Sequence, residues 1–89
     1  MEVKWILKAL ANERRLRIIK LLSVNHELEV DRISQEIGLS FKATSKHLVI
    51  LSKVNILKRR QVSLNAFYQL NDNIHPIIQT VLAHLWFCL

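Results

Sequence analysis

The sequence is almost without glycine, proline and cysteine, each of which occurs once in 89 residues, as Gly38, Pro76 and Cys88. Barrels and sandwiches need repeated tight turns and the residues that make them, so a mainly helical chain is expected. A single cysteine excludes an intramolecular disulfide and any metal site built from several thiolates of one chain. No apolar run approaches the ~18–20 residues that span a bilayer, so no membrane partner is expected. The opening Met1-Glu2-Val3-Lys4 has no secretory leader. With the lone cysteine, this fits a cytoplasmic protein.

Acidic residues are missing from one long stretch. Between Ile37 and Asn71 there is no Asp or Glu, and that stretch holds Lys42, Lys46, Lys53, Lys58, Arg59 and Arg60. The formal net charge is +6, and the seven basic residues elsewhere are balanced by all seven acidic ones. The whole excess therefore sits in one central segment. Such a one-sided zone is the footprint of a polyanion binder. The alternative is a solvated basic face with no partner.

Apolar residues, by contrast, are plentiful, at 51% of the chain. A domain of this size buries only about 60–65% of its unfolded surface. Part of the apolar surface is expected to find a partner, and an oligomer is the simplest one.

Hydrophobic spacing places a first helix over residues 2–10, with Val3, Ile6, Leu7 and Leu10 in register. Asn12 is the N-cap of a second helix, from Glu13 to about Ser23. Val24 to Glu27 reads as a loop, and Leu28-Glu29 as a very short strand. A third helix fits Val30 to Ile37, with Val30, Ile33 and Ile37 on one face. Asp31 suits the positive end of its dipole. Gly38 ends it, Leu39 enters the core, and Ser40 caps a fourth helix, about Phe41 to Lys53. Two helices joined by Gly38-Leu39-Ser40 make a helix-turn-helix over residues 30–53.

After Asn55 the period changes. Residues 56–60 and 66–70 are strand-like, with Gln61 to Asn65 between them. This hairpin, residues 56–70, is a wing, and its turn lacks the glycine such turns prefer. A last helix runs from about Ile74 to Trp86, capped by Asn73 or Asp72, with Pro76 in its first turn. It is apolar on more than one side, as is the first helix. The terminal segments, residues 1–11 and 73–89, are therefore expected to form a two-fold dimer interface. Its residues would be Val3, Ile6, Leu7, Leu10, Ile78, Val81, Leu82, Leu85 and Trp86. The expected architecture is one domain over residues 1–89, mainly α with a small β-hairpin: a winged helix-turn-helix homodimer of about five helices plus wing.

In the fourth helix, Ala43, Leu48 and Leu51, with Val54 beyond, are placed toward the core. Phe41, Lys42, Thr44, Ser45 and Lys46 then project from the early turns. A helix laid in a major groove offers such side chains to base edges, while lysines and hydroxyls hold phosphates. Ser40 and the free N–H groups at the helix start add a phosphate contact. His47 either touches a phosphate or bonds within the domain. Strand alternation puts Lys58 and Arg60 on one face of the wing and Arg59 on the other. These three are expected to grip the DNA backbone or reach a minor groove, with Gln61 and Ser63 near the tip. Leu64 at the tip has no assigned role.

Taken together, the candidate DNA-binding residues are Ser40, Phe41, Lys42, Thr44, Ser45, Lys46, His47, Lys58, Arg59, Arg60 and Gln61. The expected partners are double-stranded DNA and a second copy of the chain. A protein-interaction module of the same shape is the alternative, disfavoured by the acid-free segment. No glycine-rich phosphate loop, activated nucleophile or paired carboxylates point to an enzyme.

The run Leu7-Lys8-Ala9-Leu10-Ala11-Asn12-Glu13-Arg14-Arg15-Leu16-Arg17-Ile18-Ile19-Lys20-Leu21-Leu22 resembles the opening of ArsR-type winged-helix repressors. So do Ile37-Gly38-Leu39-Ser40, then Ala43-Thr44-Ser45-Lys46-His47-Leu48 with Leu51, and the hairpin ending Phe67-Tyr68-Gln69-Leu70. The similarity covers roughly residues 5 to 85. It implies a dimer binding imperfect inverted repeats in a promoter, as a repressor released by a signal that is often a metal ion. The family's thiolate site at the start of the third helix is absent, since Glu29-Val30-Asp31 stands there. A second family site uses Asp and His of the last helix across subunits. Asp72, His75 and His84 are present, but their spacing matches it poorly. Cys88 as a redox switch is the remaining idea, set against a buried, inert thiol. No cofactor, metal or small-molecule effector is otherwise evident.

Overall fold

A computed structural model describes the backbone of residues 2–88 and the side chains through Leu85. The expectations placed on the side chains of Trp86 and Cys88 lie outside the described residues. Among those described, five helices and three strands follow the order α1 (Val3–Leu10), α2 (Glu13–Val24), β1 (Leu28–Glu29), α3 (Val30–Ile37), α4 (Phe41–Lys53), β2 (Leu57–Val62), β3 (Asn65–Leu70) and α5 (Pro76–Cys88). The sheet is antiparallel with order β1-β3-β2.

The helix ends have local causes. The Asn12 side chain accepts from the Arg15 N–H at 3.1 Å and caps α2. The Ser40 hydroxyl accepts from the Ala43 N–H at 3.1 Å and caps α4. Gly38 stops α3 at φ 77°, with its N–H and that of Leu39 both donating to the Ser34 carbonyl. A Cβ at Gly38 would meet nothing within 4 Å, so the need for glycine is the backbone angle alone. Asn55 ends α4 in the same left-handed region at φ 61°. The Ile56 N–H then closes back onto the Leu51 carbonyl.

The last helix begins later than the sequence suggested. Pro76 is its first residue, and the cap is His75, whose Nδ1 accepts from the Ile77 N–H at 3.1 Å. Asn73 instead donates its N–H to the Asn71 side chain, and Asp72 turns to Lys58.

The hairpin is tighter than expected. Val62 pairs with Asn65, leaving Ser63-Leu64 as a two-residue turn. Ser63 takes the positive φ of 55° that glycine would normally supply.

Ile6, Ile18, Ile19, Ile33, Leu48, Leu51, Ile56 and Leu57 form the centre of the core, with Ile78 and Leu85 closing it from α5. This corrects the expected dimer surface. Ile6, Leu10, Ile78 and Leu85 are at most 6% exposed within one chain and cannot also cover a partner. At 100° per residue, Ile6 and Leu10 point inward from α1, while Val3 and Leu7 lie at the rim of that arc, 40% and 48% exposed. Val81 and Leu82 flank Ile78 on α5 and are half-buried. Of the expected interface residues whose side chains are described, Val3, Leu7, Val81 and Leu82 keep apolar surface, and Trp5 lies apart from them under Lys4 and Lys8. No helix among the described residues is long and apolar enough to cross a membrane.

Candidate nucleic-acid interface

The exposed face of α4 is built from two i, i+4 rows, Phe41-Ser45-Val49 and Lys42-Lys46-Ile50. Together they form one continuous, open face of the helix. Lys42 and Lys46 are exposed and have no ion-pair partner among the described residues. Ser40, exposed at the cap, and Ser45, half-buried, are the hydroxyls of this edge.

Thr44 does not belong to that edge. It is fully buried, with no hydrogen bond to its hydroxyl. Helical rotation places it between Leu48 and Leu51, so its side chain faces the core, and Ala43 takes the half-buried rim instead. A residue so enclosed cannot touch a base.

His47 is also held within the domain. Arg15 reaches its Nδ1 at 3.4 Å and, from the same guanidinium, donates to the carbonyls of Ala9 at 2.6 Å and Lys8 at 3.5 Å. Arg15 thus joins the end of α1 to the middle of α4. Burial, and then the charges of Arg15 and Arg14, push the His47 pKa below its ordinary value. The neutral ring can accept a hydrogen bond from the guanidinium at Nδ1.

The wing divides its cations between two faces. Cross-strand partners share a face, so Arg59 lies with Tyr68 and Gln61 with Ala66, while Lys58 and Arg60 lie opposite with Gln69 and Phe67. On the first face, Arg59 bonds to the Gln61 side chain. Both line a cleft of ≈ 290 Å³ shared with Phe41, Leu64, Glu29 and Asp31. Phe41 therefore belongs both to the exposed face of α4 and to the cleft under the wing.

On the second face the positive charge is met by acids from elsewhere in the chain. Lys58 pairs with Asp72 at 2.7 Å. Arg60 donates to both carboxylate oxygens of Glu27, at 2.6 and 3.0 Å, over the ring of Phe67. These bonds hold the Glu27 and Asp72 carboxyls below their ordinary pKa values. Lys58 and Arg60 are thus tied back, and of the four wing candidates Arg59 and Gln61 are the two that share a cleft with α4. The pairings of Arg15 with His47, Glu27 with Arg60 and Asp72 with Lys58 are not legible in the sequence, because the partners lie 32, 33 and 14 residues apart.

The remaining candidates are dispersed. Asp72 holds Lys58, His75 caps α5, and His84 Nδ1 contacts the Thr80 carbonyl at 2.8 Å. Among the described residues, no three His, Cys, Asp or Glu side chains come together as a metal site.

A helix-turn-helix followed by a two-stranded wing, with free lysines on the second helix, meets its match in a known group. The family model for the bacterial regulatory protein, arsR family, covers residues 12–59, from the α2 cap to the middle of β2. The chain belongs to this family. It is 36% identical to the transcriptional activator HlyU of Vibrio cholerae over 84 residues, 93% of this chain and 75% of HlyU. The structure of reduced HlyU from Vibrio cholerae superposes with TM-score 0.80 at 32% identity, covering 98% of this chain and 90% of that one. A homodimeric winged helix-turn-helix DNA-binding domain from Mycobacterium bovis, a possible ArsR-family regulator, gives TM-score 0.77 at 26% identity, with 94% and 74% covered. The transcriptional repressor BigR from Xylella fastidiosa gives 0.77 at 29%, with 97% and 83% covered. This ArsR-family chain is a DNA-binding transcriptional regulator with the winged helix-turn-helix fold.

Proposed function

We propose that the protein binds an inverted-repeat operator in double-stranded DNA as a homodimer and acts there as a repressor. Residues 30–53 form the helix-turn-helix and residues 56–70 the wing. The terminal segments, 1–11 and 73–89, join the subunits. The observation that carries the reading is the α4 edge: Lys42 and Lys46, without counter-charge, flank Ser45 and Phe41 on one exposed face. Ser40 and the α4 N-terminus face the same way and suit a phosphate. Arg59 and Gln61 supply the wing contacts from across the cleft. Lys58 and Arg60 reach DNA only by exchanging a carboxylate for a phosphate.

The second copy covers Val3, Leu7, Val81 and Leu82. Homodimeric assembly of the similar Mycobacterium bovis domain supports this choice of partner. Repression needs nothing beyond occupancy, because a dimer seated on a promoter excludes other proteins. The similar BigR is a repressor, whereas HlyU is an activator, so the sign of regulation is a separate test. The reading assigns no catalysis, cofactor or membrane partner, and a cytoplasmic location follows from DNA as the partner.

Selection of bound sites from a randomised duplex pool tests the binding reading. The expected result is an inverted repeat with half-site centres about 34–36 Å apart, or a multiple of this. A pool with no enriched sequence contradicts it. Sedimentation equilibrium tests the pairing, and a monomer at high concentration contradicts that part. A reporter driven from the selected site falls on expression of a repressor and rises for an activator.

A further inference from the structure

We propose that Phe41 is a specificity-determining residue that reads thymine, packing its ring on the C5-methyl group in the major groove. The inference rests on the reading of α4 as the DNA-recognition helix. Phe41 is the first residue of that helix and is 57% exposed. The inner face of α4 is already filled by Thr44, Leu48 and Leu51, each fully buried, so the ring has no place in the core. Side chains at a helix start lean toward the N-terminus, which is the end that enters the groove.

The neighbours of the ring choose its occupant. Lys42 and Lys46 stand on the same helix face, and no ion pair holds either of them among the described residues. A wholly apolar protein surface covering Phe41 would bury those cations unpaired, at high cost. Duplex DNA meets both demands at once, with phosphates for the lysines and an apolar group for the ring. Among the four bases only thymine carries an apolar group on its major-groove edge. Ser45, one turn on from Phe41, is a short hydroxyl that lets the ring approach the base edges and can itself bond to one.

Deoxyuridine removes that methyl and leaves the hydrogen-bonding edge intact, so it isolates the contact. The probe is the duplex enriched by the wild-type protein, with each thymine replaced in turn by deoxyuridine in both half-sites. At one position the wild type is expected to lose about four-fold in affinity per half-site, the effect of one buried methyl. Phe41→Ala is expected to bind the thymine and uracil duplexes equally, and Phe41→Leu to show a reduced penalty. Wild-type binding that is indifferent to uracil at every position overturns the proposal. So does a penalty that Phe41→Ala or Phe41→Leu retains in full. Failure to enrich any duplex overturns the reading beneath it as well, so the two failures are distinguishable.

Discussion

Arg60 and Glu27 face each other across β3, joined by two parallel hydrogen bonds of 2.6 and 3.0 Å, with the guanidinium 5.2 Å from the centre of the Phe67 ring. A cation counted from the sequence as part of a DNA surface is here the anchor of β1 to the wing. Phosphate must compete with Glu27 for it. Glu27→Gln removes the competitor, and affinity for random duplex at low salt is expected to rise, by up to about five-fold. Fluorescence anisotropy measures this, and an unchanged affinity means that Arg60 never reaches DNA.

The same pair sets a pH dependence. The Glu27 carboxyl is held below its ordinary value of 4.5, chiefly by the Arg60 hydrogen bonds. A group so lowered lends stability that is complete above 4.5 and is lost as pH falls through the folded-state value. Glu27→Gln is expected to flatten the loss of thermal stability below that pH. A wild-type and variant that lose stability in parallel rule this out.

His47 acts in a higher window. Its folded pKa lies below the ordinary 6.5, through burial and then Arg15 and Arg14. Between the two values the unfolded chain binds more protons, so stability rises with pH through that interval. Urea titrations at about pH 7.5 and 5.5 are expected to differ for the wild type. The difference shrinks in His47→Gln; an equal difference in both proteins removes His47 as the cause.

Thr44 gives a test of position. Thr44→Val keeps the shape and removes a buried, unpaired hydroxyl, so stability changes by within about 1 kcal/mol, most simply upward. DNA affinity is expected to be unaltered. Loss of affinity in a variant that still folds would return Thr44 to the binding edge.

Gly38 tests the turn. Because nothing crowds its missing Cβ, the cost of Gly38→Ala comes from φ alone, about 1–2 kcal/mol. Gly38→Asn is expected to cost less, since Asn tolerates this region, as Asn55 already does. Equal losses in both variants would point to packing rather than backbone conformation.

The sequence made the helix-turn-helix readable because its signals are local. Asn12, Gly38 and Ser40 each act on a backbone group within four residues. Period alone separated the wing from the helices. The wing turn was harder, since Ser63 adopts a conformation usually marked by glycine. Thr44 misled because one residue of helix rotation decides between core and groove, and residue type does not reveal which. Lys58 and Arg60 misled because charge was counted along the chain, whereas their acids arrive from β1's approach and from the loop before α5. Ile6, Leu10, Ile78 and Leu85 misled because an apolar helix shows how much surface must be buried, not whether its own chain or a second copy buries it.

The central claim is that Lys42 and Lys46 of α4 face DNA phosphates. It is tested most directly by the salt dependence of duplex binding for the wild type and for Lys42→Gln/Lys46→Gln. In a plot of log affinity against log salt, each phosphate contact contributes a slope of about −0.9. The double variant is therefore expected to lose about 1.8 from the slope per bound protomer. An unchanged slope in a folded variant would contradict the account.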